Sequence, residues 1–260
     1  MWAGRTALIT GATSGLGWEF AQQLAARGVH LCLVARRLAL LQQHASDLSS
    51  SYGVRAEVIA LDLAHAGASA ELHAETRMRG LPVDILVQAA GTALWGDFVD
   101  LDDMAEEAML QLNMLSLAQL CRYYVRDMLE SGKGHVLLVS GMSAFQPTPS
   151  LSRFAASKAF VQSLGESMAY ELKSQGITVT VLASGGLPGE VLRELGSSDR
   201  RTRVPPQEVV RMALLGMEKG LSVVIPGKVD RAGLLANRLV PRRLVPPMIH
   251  RLLKSSVTRH

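Results

Sequence analysis

Short apolar runs alternate with longer stretches of helical periodicity along the whole chain. The first run, Thr6-Ala7-Leu8-Ile9, predicts a buried strand, and Leu16, Phe20 and Leu24 then share one face of a helix that stops near Gly28. Further strands are expected at His30 to Ala35, Val54 to Ala60, Val83 to Val87, His135 to Val139, Ile177 to Ala183 and Ser222 to Ile225. Helices are expected up to about Ser50, from about Met104 to Ser131, from about Phe154 to Ser174, and from about Gln207 to Gly220. Strands alternating with helices predict an α/β fold with a parallel sheet covered on both faces. There is no internal repeat, low-complexity tract or Ser/Gly linker, so residues 1–260 read as a single domain.

The turn between the first strand and helix is Thr10-Gly11-Ala12-Thr13-Ser14-Gly15-Leu16-Gly17. A glycine turn there points backbone N–H groups and the positive end of a helix dipole at a phosphate. Gly11, Thr13, Ser14, Gly15, Leu16 and Gly17 are therefore candidate cofactor-binding residues. Three glycines alone also fit an ordinary tight turn, and the rest of the chain decides between the two. The second strand ends in Arg36-Arg37 with no acid. An acid at that place suits the ribose hydroxyl of NAD, whereas arginine suits the 2′-phosphate of NADP. NADPH is thus favoured over NADH, with Ser14 also in reach of that phosphate; a solvated helix start is the plainer alternative. Asp62, followed by Leu63, stands where it could accept from an adenine amino group or cap the next helix. Gln88-Ala89-Ala90-Gly91 offers small residues against which a cofactor ring could lie. Asn113 shares an apolar face with Leu110 and Leu117 and must find a hydrogen-bond partner. Ser184 to Arg203, including Gly185 and Leu187, lacks apolar periodicity and reads as a lid over the substrate, or else as a surface loop.

Composition limits the remaining choices. At 48% hydrophobic residues the chain can fill a large core. The net charge of +4 is uneven: residues 226–260 carry eight Lys/Arg and one acid, Asp230, for a net of +7, leaving the remainder at −3. No aromatic residue interleaves these cations, and Leu239, Val240, Leu244, Val245, Leu252 and Leu253 read as packing positions, so neither nucleic acid nor membrane is expected as a partner. Cys32 and Cys121 read as small buried hydrophobes, with no zinc spacing and no metal site. Neither a signal peptide nor a membrane-spanning run is visible, which makes the cytoplasm the default location.

Taken together, the Gly-x3-Gly-x-Gly turn, Asp62, Ala90-Gly91, Asn113 and Ala156-Ser157-Lys158 resemble the short-chain dehydrogenase/reductase family over at least residues 5 to 226. The resemblance implies a single-domain, Rossmann-type doubly wound sheet, hydride transfer between a nicotinamide cofactor and a carbonyl, and a homo-oligomer, dimer or tetramer. It also implies a catalytic tetrad of Asn, Ser, Tyr and Lys. Asn113 and Lys158 match two members, and Lys158 would also hold the nicotinamide ribose. The tyrosine position, four before the lysine, holds Phe154; the serine position, thirteen before that, holds Gly141. The family's Asn-Asn-Ala-Gly reads Gln88-Ala89-Ala90-Gly91, and its Pro-Gly reads Ser184-Gly185. In the family the tyrosine hydroxyl protonates the carbonyl oxygen and the serine hydrogen-bonds it. Losing a positioned acid costs roughly 100- to 10,000-fold, and losing an oxyanion donor about 100- to 1,000-fold.

Three readings follow. The substrate supplies its own proton, from a hydroxyl peri to the ketone, at the high effective concentration of an intramolecular group. Alternatively the protein binds NADPH without catalysis, as a sensor or partner subunit. Or another group substitutes: Ser140, Ser143, Ser152 or a lid residue. The Gly-for-Ser and Phe-for-Tyr pair resembles the atypical ketoreductases of angucyclinone (simocyclinone) antibiotic assembly within the same family. That resemblance implies a polycyclic aromatic polyketide as the small-molecule substrate and favours the first reading. Its pocket is expected between Met142 to Leu151, Trp95 and the lid, with Trp95, Met142, Ser143, Phe154 and Leu187 as lining residues.

Overall fold

The strand that leads into the glycine turn, β1 (Thr6–Thr10), lies inside a seven-stranded parallel sheet. The computed structural model describes residues 2–185 and 204–257. The other strands are β2 (His30–Ala35), β3 (Ala56–Ala60), β4 (Ile85–Gln88), β5 (Gly134–Gly141), β6 (Ile177–Ser184) and β7 (Val223–Val224). Their order is β3-β2-β1-β4-β5-β6-β7, so the direction of winding reverses between β1 and β4. This is a Rossmann-type, doubly wound sheet, and its ligand crevice is expected outside the carboxyl ends at that reversal.

Helices cover both faces and divide the core in two. On one face lie α1 (Gly15–Ala25), α2 (Leu38–Tyr52) and α7 (Pro206–Glu218), and Phe20, Leu24, Leu41, Val210 and Leu214 pack there against Ile9 and Leu33. On the other lie α3 (Ala68–Met78), α5 (Leu117–Ser131) and α6 (Ser152–Leu172), where Leu72, Leu120, Tyr124 and Val161 meet Leu8, Leu86 and Val136. Each fully buried side chain of this kind contributes about 1.5–3 kcal/mol. β1 feeds both layers because its successive side chains point to opposite faces.

The expected helix from about Met104 to Ser131 is not uniform. It consists of α4 (Asp103–Leu110), a wider π-type stretch over Gln111–Ser116, and then α5. Such widened turns are commonly found at functional positions, and Asn113 lies inside this one. Asp102 starts α4 by accepting from the N–H of Ala105.

After β7 come α8 (Lys228–Leu239) and α9 (Val245–Val257). Here the packing expectation holds for Val245, which is buried, and fails for Leu244, which is 51% exposed. The two neighbours stand at the entry to α9, where only one can face inward. Both cysteines are buried, and burial pushes each thiol up to about 12. No helix among the described residues is long and apolar enough to cross a membrane. Most of the expected lid, residues 186–203 with Leu187, lies outside the described residues.

Candidate active site

The glycine turn is shaped by close backbone approach. Gly11 and Gly15 have φ of +69° and +53°, a conformation L side chains rarely adopt. A Cβ on Gly11 would come within 2.9 Å of the Ala90 backbone, and one on Gly17 would collide with the carbonyl of Gly11. Strand, turn and helix therefore fit together only with glycine at both places. Thr10 ties the turn to the next crossover: its hydroxyl accepts from the N–H groups of Ala89 and Ala90, each at 3.1 Å, and donates to Gln88 Oε1 at 3.2 Å. Ser14 stands at the N-cap of α1 without a side-chain cap bond, so its hydroxyl is not consumed by the helix. Leu16 follows in the first turn of α1 and packs against the core.

The two arginines take different positions. Arg37 Nη2 donates to Thr13 Oγ1 at 3.0 Å and so leans onto the glycine turn. Arg36 is 76% exposed and lies 3.8 Å from Asp62 Oδ2. Asp62 is not a helix cap: α3 begins only at Ala68 after Gly67, and Asp62 instead accepts from the N–H of Ala64 at 3.0 Å in a local turn. Leu63 beside it is buried, and its carbonyl accepts from Ser116 Oγ.

Asn113 satisfies its amide completely. Its Oδ1 accepts from the Thr92 N–H at 3.1 Å, while its Nδ2 donates to the Thr92 carbonyl at 2.9 Å and to Ser157 Oγ at 3.2 Å. It therefore clamps the loop after β4 to α6. Gly91 allows this approach: a Cβ there would stand 3.2 Å from Asn113 Oδ1 and 3.4 Å from Lys158 Nζ. Gly91, Asn113 and Lys158, all singled out by the sequence, thus converge on one point.

Lys158 is the electrostatic anomaly of the site. Its side chain is 7% exposed, no acid among the described residues pairs with it, and its Nζ donates to the Val139 carbonyl at 3.0 Å. Burial pushes its amine down to about 8. A buried ammonium with one neutral acceptor lacks partners, and ribose hydroxyls of a bound cofactor would provide them.

Phe154, one turn earlier on α6, is buried in an apolar cluster with Ala93, Met109 and Leu151, against which Trp95 also packs. Its ring centroid lies 5.6 Å from Lys158 Nζ. Gly141 ends β5 opposite Ser184 of β6. A Cβ on Gly141 would meet Ser143 Oγ at 3.5 Å and the Ser184 carbonyl at 3.6 Å, ordinary contacts that leave room for a side chain. Ser143 is thus the hydroxyl that approaches the vacated serine place, in the short turn Met142–Phe145. Ser140 is committed elsewhere, since its Oγ donates to the Lys158 carbonyl at 3.0 Å. Ser152 opens α6 on the exposed side.

Several contacts at the site were not legible in the chain. Ser157, buried within α6, donates to the Phe154 carbonyl at 2.7 Å and accepts from Asn113. Arg153 pairs with the buried Glu106 of α4 and lies 4.6 Å above the Phe98 ring, bracing the start of α6. Trp18 stacks on His44 at 3.8 Å, behind the glycine turn, and burial holds that imidazole below the ordinary histidine range. For these contacts the one sequence signal was the place of Ser157 in the Ala156-Ser157-Lys158 motif.

Comparison with known proteins places these features. The family model described as short chain dehydrogenase matches residues 5–200. A very-long-chain 3-oxoacyl-CoA reductase of Anas platyrhynchos is 34% identical over 68% of this chain, and the match spans 57% of the relative's length. The 7beta-hydroxysteroid dehydrogenase of Collinsella aerofaciens is 29% identical over 85% of this chain and 86% of the relative. A short-chain dehydrogenase from Sphingobium yanoikuyae, solved in complex with NADPH, is 30% identical with a TM-score of 0.81, covering 90% of this chain and 93% of that one. With its parallel sheet, its glycine turn, and Asn113 and Lys158 meeting beside Gly91, the chain belongs to the short-chain dehydrogenase family.

Proposed function

We propose that this chain is an NADPH-dependent ketoreductase that acts on a bulky polycyclic ketone bearing a hydroxyl peri to the carbonyl. The observation that carries this reading is the split character of the site. The half that would hold a cofactor is complete, with a glycine cradle, Arg36 and Arg37, and the buried, underpartnered Lys158. The half that would protonate a carbonyl has phenylalanine and glycine at positions 154 and 141.

NADPH bound there supplies the hydride. The N–H groups of Gly15, Leu16 and Gly17 at the start of α1 would receive its pyrophosphate. Arg36, Arg37 and Ser14 would surround the 2′-phosphate, and Asp62 and Leu63 the adenine. Ala89, Ala90 and Gly91 would leave space along the cofactor's length, Gly185 would flank the ring, and Lys158 would donate to the ribose, with Asn113 holding the loop that carries Thr92. Trp95, Met142, Ser143 and Phe154 would line an apolar substrate site.

A peri hydroxyl that already hydrogen-bonds the ketone needs no orienting by protein and acts at very high effective concentration. Aromatic polyketides of the angucyclinone type have this arrangement, which makes antibiotic assembly the setting we propose. Relatives named for very-long-chain 3-oxoacyl-CoA and 7beta-hydroxysteroid substrates support a large apolar substrate. The test is NADPH oxidation, followed by absorbance, with a tetracyclic peri-hydroxy ketone, together with isolation of the alcohol. Cofactor that binds but is never oxidised by such ketones would leave a non-catalytic NADPH-binding protein instead.

A further inference from the structure

Asp230 stands in the first turn of α8 with its carboxylate wedged between two backbones. A Cβ built on Gly185 would run into both carboxylate oxygens, and one on Gly227 would run into Oδ2. The two glycines are what make room for the acid. Gly185 directly follows β6, and its predecessor Ser184 pairs with Gly141 across the sheet. α8 also packs on the turn Met142–Phe145 that follows Gly141. Asp230 therefore lies over the carboxyl ends of β5 and β6, beside the position where the family serine is missing and where open α/β sheets take their ligands.

In the first turn of α8 the carboxyl group meets the positive end of that helix. Among the described residues it accepts no hydrogen bond and forms no ion pair. Its charged neighbours on α8, Lys228 and Arg231, are exposed, and Arg231 Nε is spent on the Ile225 carbonyl. Gly185, Gly227 and the turn Met142–Phe145 present no charged side chain to it. A helix N-terminus favours the anion, yet burial dominates here and holds the Asp230 carboxyl above the ordinary aspartate range. A carboxyl that keeps its proton to higher pH is what general-acid work requires.

We propose that Asp230 is the protein-borne acid of this site and protonates ketones that bring no hydroxyl of their own. The proposal rests on the ketoreductase reading and extends its substrate range. In the step, the carbonyl carbon gains a hydride from NADPH and the π pair moves to oxygen. That oxygen takes the carboxyl proton of Asp230, giving the alcohol and NADP, and the carboxylate left behind takes a proton from solvent.

The experiment compares a tetracyclic peri-hydroxy ketone with its O-methyl ether in wild type and in Asp230→Asn, which keeps the side chain's size. Wild type is expected to reduce both. The variant should lose at least about 100-fold on the ether and less than about threefold on the hydroxylated ketone, with NADPH affinity, read by tryptophan fluorescence, unchanged. In cofactor-free protein titrated by infrared difference spectroscopy, a protonated-carboxyl band should persist to higher pH than for an ordinary aspartate, and Asp230→Asn should remove it. An ether that wild type cannot reduce, equal losses on both ketones, or absence of that band would overturn the assignment of Asp230 and leave the ketoreductase reading standing. Failure of the hydroxylated ketone itself, with NADPH bound, would remove both.

Discussion

Replacing Lys158 by methionine should make the cofactor-free protein more stable, although it damages the cofactor site. The amine falls from 10.5 to about 8 because burial penalises its charged form. At about 1.4 kcal/mol per pKa unit, the charged amine costs the folded state about 3 kcal/mol near neutral pH. The unfolded chain holds its proton up to pH 10.5 and the folded chain releases it near 8, so between those values the unfolded state binds more protons. Stability therefore rises with pH through that window, and the whole penalty is present below it. Methionine removes the charge at similar volume but also removes the bond from Nζ to the Val139 carbonyl, worth about 1 kcal/mol. The expected balance is a gain of about 2 kcal/mol at pH 7 that shrinks to nothing or reverses by about pH 10. Urea unfolding of both proteins at the two pH values measures it, since groups common to both cancel in the difference. A variant that differs from wild type by the same amount at pH 7 and pH 10 would refute the claim that burial of a charged amine is at issue.

Phe154→Tyr should raise the rate on a peri-hydroxy ketone less than about threefold, because that substrate already carries its acid; a gain near 100-fold in steady-state assays would count against substrate assistance. Arg36→Ala should weaken NADPH binding by about tenfold or more while leaving NADH binding within about twofold, as expected for one charge-assisted contact to a phosphate; equal losses in fluorescence titrations would remove the 2′-phosphate assignment. Arg153→Ala strands the buried Glu106 and should cost about 3 kcal/mol in chemical denaturation. Adding Glu106→Gln to that variant should restore much of the loss, and no recovery would mean that Arg153 stabilises α6 mainly through Phe98.

Features set by local chemistry were legible before any coordinates. The glycine turn is one, because Gly11 and Gly17 answer to backbone contacts within a few residues and one crossover. The strands are another, since their apolar runs match the sheet closely; Gly91, Asn113 and Lys158 were joined in sequence by the family resemblance alone. Readings that depended on partners distant in sequence were not recoverable. Helical periodicity runs smoothly through residues 104–131 and gives no hint of the wider turn at Gln111–Ser116. In sequence Asp62 is open to either an adenine contact or a helix cap, and only the start of α3 six residues later removes the cap. Glu106 is an ordinary helix-surface residue in sequence and becomes a buried partner only because Arg153, 47 positions on, reaches it. Asp230 is equally silent, because its surroundings are built by Gly185 and Gly227 rather than by its own helix face.

The π-type stretch at Gln111–Ser116 has a consequence for how this site can arise and be lost. A π turn holds one more residue than the α turn it interrupts, so everything beyond it is rotated by about 100° relative to an unbroken helix. α4 is thereby free to face α6 while α5 faces α3 and the sheet. Deleting a single residue between 111 and 116 would let the segment close into regular helix. The price would be a choice between the two faces: keep α5 seated and swing α4 off Arg153, or the reverse. Where α5 stays seated and the residue lost lies beyond Asn113, Asn113 turns away from Thr92 and Ser157. A one-codon deletion here is therefore a change of phase, and it would separate a chain that still folds from one that still grips the β4 crossover.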